Sequence, residues 1–264
     1  MTLGFIGLGN MADAIIGGIL KEGLANRNQI IGSTKTKKSA DAKAKKYGIS
    51  VTMDNRMIVK HCDVVFLAVK PQFLAEVIEE IKEDVTDGTL FISIVAGKTM
   101  SYIEEQFGRK IKLIRCMPNT PALVLEGCTG YCVNEKVIDA EREYARKLLA
   151  SFGKAMEVPE KLIDVVGGVS GSSPAFVFTF IEALADGAVA QGMPRAQAYE
   201  FAAQAVYGSA KLCMETGMHP GQLKDMVCSP GGSTIQGMRV LEEKGMRSAV
   251  MDAVIACVEK NRQL

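Results

Sequence analysis

Short apolar runs alternate with amphipathic stretches over about the first 155 residues of the chain. The apolar runs cover residues 2–6, 29–32, 50–52, 63–69, 89–94, 112–117 and 127–133, and they predict β-strands. Helical spacing lies between them, at residues 11–21, 35–47, 55–60, 73–81, 100–107 and 140–152. Strands that alternate with helices through short connections form βαβ units. We therefore expect an α/β fold with a doubly wound, mostly parallel sheet.

The pattern changes near Pro159, and from Ser173 onward no strand-like run of comparable quality follows. Helical stretches lie at residues 174–191, 195–216, 222–227, 234–243 and 246–260. Residues 176–190 are apolar nearly all round, so this helix should be buried inside its domain or against another chain. We predict two domains, one at residues 1–158 and an all-α domain at residues 159–264.

The composition is that of an ordinary globular protein, with 48% hydrophobic and 23% charged residues. The net charge of +1 argues against nucleic acid or an anionic membrane surface as the main partner. The longest apolar runs fall short of the ~20 residues of a membrane helix. The apolar N-terminus carries Asp13 and lacks the basic start of a signal peptide.

Cysteine and histidine usage gives no sign of a disulfide framework or a metal site. The seven cysteines are an odd number at scattered positions, and the chain has only two histidines. Buried, reduced thiols are the simpler interpretation, and they are typical of a cytoplasmic protein.

Glycine, at 26 residues, exceeds its usual share, and one group stands directly after the first predicted strand. Residues 7–12 read GLGNMA, which matches the G-x-G-x-x-A form of the dinucleotide fingerprint. Gly7 permits the tight turn, Gly9 lets a pyrophosphate approach the backbone, and Ala12 lets helix and strand pack closely. We predict a Rossmann-type domain that binds a nicotinamide dinucleotide here, rather than a glycine turn without a ligand.

The end of the second predicted strand bears on the choice between NADH and NADPH. NAD enzymes usually carry an acid there for the ribose 2′-hydroxyl. Here residues 33–38 read STKTKK, with no acid before Asp41. Hydroxyls followed by lysines suit a 2′-phosphate, so we expect NADPH to be favoured over NADH. The alternative is that these lysines are the solvated start of a helix.

Two further strand ends, at residues 68–71 (AVKP) and 96–97 (AG), should face the same crevice. Lys70 is placed to meet a phosphate, a ribose or a substrate carboxylate, unless it is simply an exposed loop lysine.

A second glycine cluster, residues 229–234 (SPGGST), precedes another predicted helix. Ser233 or Thr234 could serve only as an N-cap. Alternatively, the Gly-Gly pair could bring backbone N–H groups to an anion such as a carboxylate. The local chemistry does not choose between these two roles.

The sequence shows no Ser-His-Asp arrangement, metal motif or P-loop, and neither His61 nor His219 is well placed for catalysis. An oxidoreductase without an evident acid or base suits a substrate that needs little proton help. A cyclic imine is such a substrate, because its nitrogen can be protonated before hydride arrives.

Five segments resemble the pyrroline-5-carboxylate reductase family. They are GFIGLGNMADAIIGG (4–18), FLAVKPQ (66–72), RCMPNTPALV (115–124), SGSSPAF (170–176) and HPGQLKDMVCSPGGSTIQGMRVLE (219–242). The last segment is specific to the family, whereas the first is shared with other dehydrogenases. Ser173 and Met226 depart from residues that are common in the family.

The resemblance implies NAD(P)H-dependent reduction of 1-pyrroline-5-carboxylate to L-proline, the last step of proline biosynthesis. Thr234 would be the hydrogen-bonding partner or proton donor at the ring nitrogen. The expected substrate site comprises Gly231, Gly232, Ser233, Thr234 and Lys70. The expected cofactor contacts are Ile6, Gly7, Leu8, Gly9, Asn10, Met11, Ser33, Thr34, Lys35, Asn55, Ala68, Val69, Lys70, Pro71, Ala96, Gly97 and Asn119. The helical domain would form a homodimer, which the family often assembles further into a decamer.

Three alternatives remain in view. The β-hydroxyacid dehydrogenases share the GFIGLGxM start but use a lysine in the first long helix after the Rossmann domain, and residues 173–193 contain none. The second alternative is an imine or ketimine reductase that acts on another substrate. A non-catalytic cofactor sensor would need the fingerprint but not Thr234 or the Gly-Gly loop, so their presence favours an enzyme.

Overall fold

Eight strands form one sheet in the computed structural model, which describes residues 1–263. They are β1 (Leu3–Ile6), β2 (Ile30–Ser33), β3 (Ser50–Thr52), β4 (Val64–Leu67), β5 (Leu90–Ser93), β6 (Lys112–Met117), β7 (Gly127–Val133) and β8 (Gly153–Glu157). Their order across the sheet is β3-β2-β1-β4-β5-β6-β7-β8. All neighbours run parallel except β6 and β7. This confirms the predicted mostly parallel sheet.

Seven α-helices accompany these strands. They are α1 (Asn10–Lys21), α2 (Lys37–Tyr47), α3 (Asn55–His61), α4 (Leu74–Ile81), α5 (Met100–Phe107), α6 (Asp139–Ala150) and α7 (Ile163–Val166). Thr36, Asp54 and Thr99 each accept a hydrogen bond from a first-turn N–H and so begin α2, α3 and α5. A π-helical turn, Gly167–Gly171, follows α7 directly.

Both faces of the sheet are covered, because successive strand residues point to opposite sides. On one face, Phe5 and Phe66 stack with ring centroids 4.6 Å apart, in a cluster that includes buried residues of α1 and α6. On the other face, Ile6 and Leu67 lie in a second cluster with residues of α3, α4 and α5. The two buried clusters make the domain doubly wound, as predicted.

The strand order reverses beside β1, which pairs with β2 on one side and β4 on the other. The chain therefore turns in opposite directions after β1 and after β3, which opens a crevice at the carboxyl ends of these strands. Ligands of doubly wound sheets bind at such a switch point.

The sequence pattern did not predict β8. Its residues, GKAME, include two charged side chains and show no apolar run. Among residues 1–263, β8 pairs only with β7, in parallel and with Gly127 opposite Gly153, so it is an edge strand. An edge strand exposes one side, so it does not need the continuous apolar sequence of a central strand.

By packing, the chain divides into two compact units. The first comprises Met1–Ser172 with the described residues from Ala256 onward, and the second comprises Ser173–Ile255. Asn261 contributes to the first unit by donating a hydrogen bond to the Asp164 carbonyl oxygen (3.4 Å). The boundary after residue 158, drawn from the sequence pattern, stays a prediction.

The remaining helices are α8 (Ser173–Ala190), α9 (Arg195–Thr216), α10 (Pro220–Val227), α11 (Ser233–Glu243) and α12 (Met246–Asn261). No strand occurs in residues 173–263, so the all-helical prediction holds for the described part of this region. In α8 only Ala185 is buried, against Ala198 and Ala202 of α9. Phe178 of α8 is 62% exposed. Of the two predicted alternatives, burial inside its own domain is therefore not found, and burial against another chain stays open.

Candidate active site

The turn between β1 and α1 is built around two glycines with different constraints. Gly7 has φ +93°, and a Cβ added there would lie 2.7 Å from the Ala68 carbonyl oxygen. Gly9 is the N-cap of α1, no side chain caps the helix, and an added Cβ would meet no atom within 4 Å. Gly7 is thus required by the fold, whereas Gly9 leaves open space before a helix start that attracts anions.

The carboxyl ends of the central strands lie side by side. Ile6 is in register with Ser33 of β2 and Leu67 of β4. The main chain continues these contacts, since Ala68 N donates to Ile6 O (2.9 Å) and Gly7 N donates to Ser33 O (3.3 Å). The structure therefore brings the predicted strand-end residues to one edge of the sheet.

A cavity of about 290 Å³ opens at this edge. Seven of the predicted cofactor residues line it: Ile6, Gly7, Ser33, Thr34, Lys35, Asn55 and Val69. Four further lining residues were not predicted: Met53, Glu76, Val77 and Glu80. The two glutamates could have been suspected, since they stand four residues apart in the helix after β4 and so share one helix face.

Leu8 points away from this cavity. Its side chain is 6% exposed and packs onto Gly32, where an added Cβ would lie 2.6 Å from Leu8 Cδ1. Leu8 can therefore offer a ligand only its main chain.

Ser33 and Asn55 are joined to Glu80 by a chain of hydrogen bonds. Ser33 Oγ donates to Asn55 Oδ1 (2.6 Å), and Asn55 Nδ2 donates to Glu80 Oε2 (2.7 Å). Asn55 N also donates to Glu80 Oε1 (3.3 Å). Ser33 is 2% exposed. The side chains expected near the ribose are thus already oriented by an acid from α4.

Lys35 is less free than the sequence suggested. Its Nζ lies 3.8 Å from the Phe73 ring centroid and 4.0 Å from Glu76 Oε2. Lys37 and Lys38 belong to α2, which starts at Lys37. The interpretation of these two lysines as the solvated start of a helix matches their place in the structure.

Asn119 has its side-chain amide engaged by the backbone. Its Oδ1 accepts from Cys128 N (2.7 Å) and its Nδ2 donates to the Ser170 carbonyl oxygen (3.0 Å). It is 8% exposed. This side chain therefore joins the start of β7 to the π-helical turn.

Lys70 and Pro71 follow β4 at the same sheet edge, where Lys70 is exposed and Pro71 begins a short 3₁₀ turn. Ala96 and Gly97 follow β5, and both are half-buried. None of these four residues lines the 290 Å³ cavity.

The second glycine cluster forms a tight turn before α11. Gly232 N donates to Ser229 O (3.0 Å), Pro230 takes the second position, and Gly231 takes the third with φ +69°. Gly232 is the N-cap of α11, and no side chain caps this helix. Ser233 and Thr234 are the first two helical residues, and both are exposed. The reading of either hydroxyl as the N-cap is therefore wrong, and both remain available to a ligand.

Family models match both regions of the chain. Residues 160–264 match the pyrroline-5-carboxylate reductase dimerisation family, and residues 2–97 match the NADP oxidoreductase coenzyme F420-dependent family. The pyrroline-5-carboxylate reductase of Escherichia coli is 47% identical over 99% of this chain and 97% of its own length. The human pyrroline-5-carboxylate reductase 2 is 41% identical over 100% of this chain and 84% of its own length. The chain belongs to the pyrroline-5-carboxylate reductase family.

Solved structures of the family agree with the fold. The Streptococcus pyogenes 1-pyrroline-5-carboxylate reductase superposes with a TM-score of 0.92 at 32% identity, over 100% of this chain and 99% of that one. A Plasmodium falciparum pyrroline carboxylate reductase with NADP bound gives 0.91 at 33% identity, over 100% and 97%.

Membership in the pyrroline-5-carboxylate reductase family confirms the predicted reaction class. The chain is an oxidoreductase of proline biosynthesis that reduces a C=N bond with a nicotinamide cofactor. The β-hydroxyacid dehydrogenase and cofactor-sensor alternatives gain no support from these matches.

The dimerisation match also bears on the exposed apolar helix. By length and composition alone, one described helical stretch, Glu160–Ala190, could cross a membrane, with a mean hydropathy of 1.3 in its most apolar window. A helix that packs in the core of a soluble protein passes the same test. Because the dimerisation family covers this stretch, the match indicates homo-oligomerisation as the reason for its apolar surface.

Proposed function

We propose that this chain reduces 1-pyrroline-5-carboxylate to L-proline with NADPH favoured over NADH, and that Thr234 acts at the ring nitrogen. The observation that carries these roles is the pair of glycine loops, each of which opens a helix without a side-chain cap. Such helix starts favour anions. The first loop suits the cofactor pyrophosphate, and the second suits the substrate carboxylate.

The first loop and its neighbouring strand ends fit a dinucleotide in shape. Gly9 leaves open space before α1, and the cavity beside Ser33 suits the adenosine ribose. When bound, the reduced nicotinamide supplies the hydride. The proposed contacts are the main chain of residues 6–11, then residues 33–35 and Asn55 at the ribose, and residues 68–71, 96–97 and Asn119 towards the nicotinamide. Asn119 acts through its main chain, because its amide is engaged.

The second loop is proposed to hold the substrate. The N–H groups of Gly231 and Ser233 bind the carboxylate, while Gly232 N donates to Ser229 O (3.0 Å) and holds the turn in shape. The Thr234 hydroxyl donates a hydrogen bond to the ring nitrogen. As the C=N carbon gains the hydride, the nitrogen takes the Thr234 proton, and solvent water returns a proton to the exposed hydroxyl. Lys70, exposed after β4, is proposed to add a positive charge for an anionic ligand. Exposure of Ser233 and Thr234 and the absence of a cap on α11 support these roles.

The preference for NADPH rests on Lys35, a cation that lines the cavity where a 2′-phosphate would lie, and on the lack of an acid between Ser33 and Asp41 at this strand end. The NADP bound to the Plasmodium relative supports the same choice.

The exposed apolar faces of α8 and α9 support a homodimer formed through the C-terminal helices, with a decamer as the larger assembly that the family resemblance implies. We also place the protein in the cytoplasm. All seven cysteines are free thiols, and burial raises the pKa of Cys62 and Cys132 to about 12. Protonated, buried thiols suit a reducing compartment.

The test is oxidation of NADPH and of NADH by the purified protein, followed at 340 nm with and without 1-pyrroline-5-carboxylate. We expect substrate-dependent oxidation with both cofactors and a higher kcat/KM with NADPH. Proline formation should match the cofactor consumed. Turnover with neither cofactor would refute the function, and a higher kcat/KM with NADH would reverse the cofactor choice.

A further inference from the structure

We propose that Glu80 is a specificity-determining residue that keeps the preference for NADPH small, by favouring a ribose 2′-hydroxyl over a 2′-phosphate. The inference rests on the proposed function in one respect, namely that the adenosine ribose lies beside Ser33 and Asn55.

The direction of the hydrogen bonds carries the first step. A carboxylate can only accept hydrogen bonds. Glu80 accepts from Asn55 Nδ2 at 2.7 Å and from Asn55 N at 3.3 Å. The Asn55 amide is therefore turned with its nitrogen towards Glu80 and its Oδ1 towards Ser33. Glu80 thus sets the orientation of an amide on a different helix.

The second step concerns the Ser33 hydroxyl. Its one proton is directed to Asn55 Oδ1 at 2.6 Å, with a longer contact of 3.5 Å to the Phe5 carbonyl oxygen. Ser33 therefore presents lone pairs, rather than a proton, to the cavity. A 2′-hydroxyl can donate to those lone pairs, whereas a 2′-phosphate dianion can only accept. The fixed direction of the chain favours the ligand that carries a proton at this position.

The charges of the residues that line the cavity also favour a 2′-hydroxyl over a 2′-phosphate. Among the residues that line it, Lys35 is the single cation, while Glu76 and Glu80 are both acids. Glu76 lies 4.0 Å from Lys35 in an exposed pair, which has a weak effect in water. Glu80 adds a negative charge beside Asn55. A 2′-phosphate brings further negative charge to this cavity, so both acids disfavour it. Glu80 has the stronger effect, because it is itself part of the Ser33–Asn55–Glu80 chain of hydrogen bonds.

The Glu80→Gln variant changes the hydrogen-bond direction and the charge but nearly keeps the size and shape of the side chain. Glutamine keeps an oxygen for Asn55 N and offers an NH₂ group to Asn55 Oδ1, so the Asn55 amide can turn around. Asn55 Nδ2 then donates to Ser33, and the Ser33 proton becomes free for a phosphate oxygen. The variant also removes one negative charge.

Glu79→Gln is the matched control. Glu79 is the neighbouring residue on α4, its Oε2 pairs with Lys82 Nζ at 2.7 Å, and it does not line the cavity. Glu76→Gln tests the weaker, purely electrostatic contribution.

Two measurements should be made on each full-length variant. One is the ratio of kcat/KM for NADPH to that for NADH at saturating 1-pyrroline-5-carboxylate. The other is the ratio of Kd values for NADP⁺ and NAD⁺ by calorimetry, without substrate. We expect both ratios to shift towards the phosphorylated cofactor by about tenfold in E80Q, the size of a hydrogen bond to a charged group. E79Q should stay within about twofold of the wild type, as surface substitutions usually do.

A ratio in E80Q that stays within about twofold of the wild type, or falls, overturns the proposal. Because each ratio compares two ligands on the same folded molecules, partial unfolding of a variant does not disturb it. Nucleotide binding without imine turnover in the wild type would refute the proposed function alone, and the Kd ratio would still decide the role of Glu80.

Discussion

The two compact units bury apolar side chains to very different extents. In the first unit both faces of the sheet are covered, and Phe5, Phe66 and Phe91 are all 0% exposed. In the second unit the buried cluster consists of three alanines of α8 and α9, while Phe178 and Phe201 are 62% and 67% exposed. Large apolar side chains left on a surface mark a contact with another molecule.

Apolar side chains therefore have a different role in each unit. The strands of the first unit find their partners within the same chain, through βαβ crossovers. In the second unit, α8 carries apolar residues nearly all round, and its contact with α9 covers only a small part of that surface. The first unit therefore completes its core alone, and the second keeps apolar surface for another copy of the chain.

We expect the largest effect from Phe178→Asp, which places a charge on the exposed apolar surface of α8. A carboxylate buried without a partner costs several kcal/mol, so we expect the dimer Kd to rise by roughly 10³-fold or more. Light scattering after size-exclusion chromatography should show a monomer. Phe178→Leu, which stays apolar, should remain oligomeric. A wild-type mass for Phe178→Asp at micromolar concentration would contradict the role of α8.

Thr234→Ala tests whether the second unit takes part in catalysis as well as in oligomerisation. If Thr234 is the proton donor, as we propose, its loss should lower kcat by roughly 10²-fold. The Kd for NADPH should stay unchanged, because the proposed cofactor residues all belong to the first unit. Thr234→Ser keeps a hydroxyl and should retain most of the activity. Unchanged turnover in Thr234→Ala would remove Thr234 from the mechanism.

The two fingerprint glycines give opposite expectations within the first unit. Gly7→Ala should lower the unfolding free energy by about 1–3 kcal/mol, because φ is +93° and the new Cβ meets the Ala68 carbonyl oxygen at 2.7 Å. Gly9→Ala meets no such atom. It should leave the Tm unchanged while weakening NADPH binding about tenfold, since the backbone must approach the pyrophosphate closely. Thermal melts and calorimetry measure both, and equal effects on stability would contradict this distinction.

The smallest expected effect concerns an ion pair that joins α1 to α2. Burial would raise the pKa of Asp13, but hydrogen bonds from Lys43 and Lys46, at 2.7 and 2.9 Å, outweigh it and leave the pKa below its ordinary 3.8. The stabilisation is therefore present above pH 3.8 and is lost as the pH falls through the lower, folded value.

Asp13→Asn should accordingly lower the unfolding free energy by about 0.5–1 kcal/mol at pH 7. The difference from the wild type should shrink as the pH falls below 3.8. Urea denaturation at pH 7 and pH 3 measures the change, with Asp41→Asn as a control on α2. An equal difference at both pH values would show that the carboxylate charge is not responsible.

Much of the site follows from local sequence. The fingerprint at residues 7–12 and the strand ends at residues 33–35 and 68–71 lie at one sheet edge as predicted, because βαβ units put such positions there, and their binding roles stay predictions. Glu80 was missed, since it meets Asn55 across 25 residues of chain. The engagement of Asn119 with Ser170, 51 residues away, was equally out of reach.

The sequence by itself determined the order of β1–β7 and α1–α6, the glycine turn and the reaction class, because each depends on local patterns or on segments shared with one family. The tertiary structure alone decided three things: the direction of the Ser33–Asn55–Glu80 chain, the edge strand β8, and the exposure of α8. These depend on which distant side chains and strands come together in space. Hydrogen-bond direction and burial are properties of such neighbours, and no run of adjacent residues specifies them.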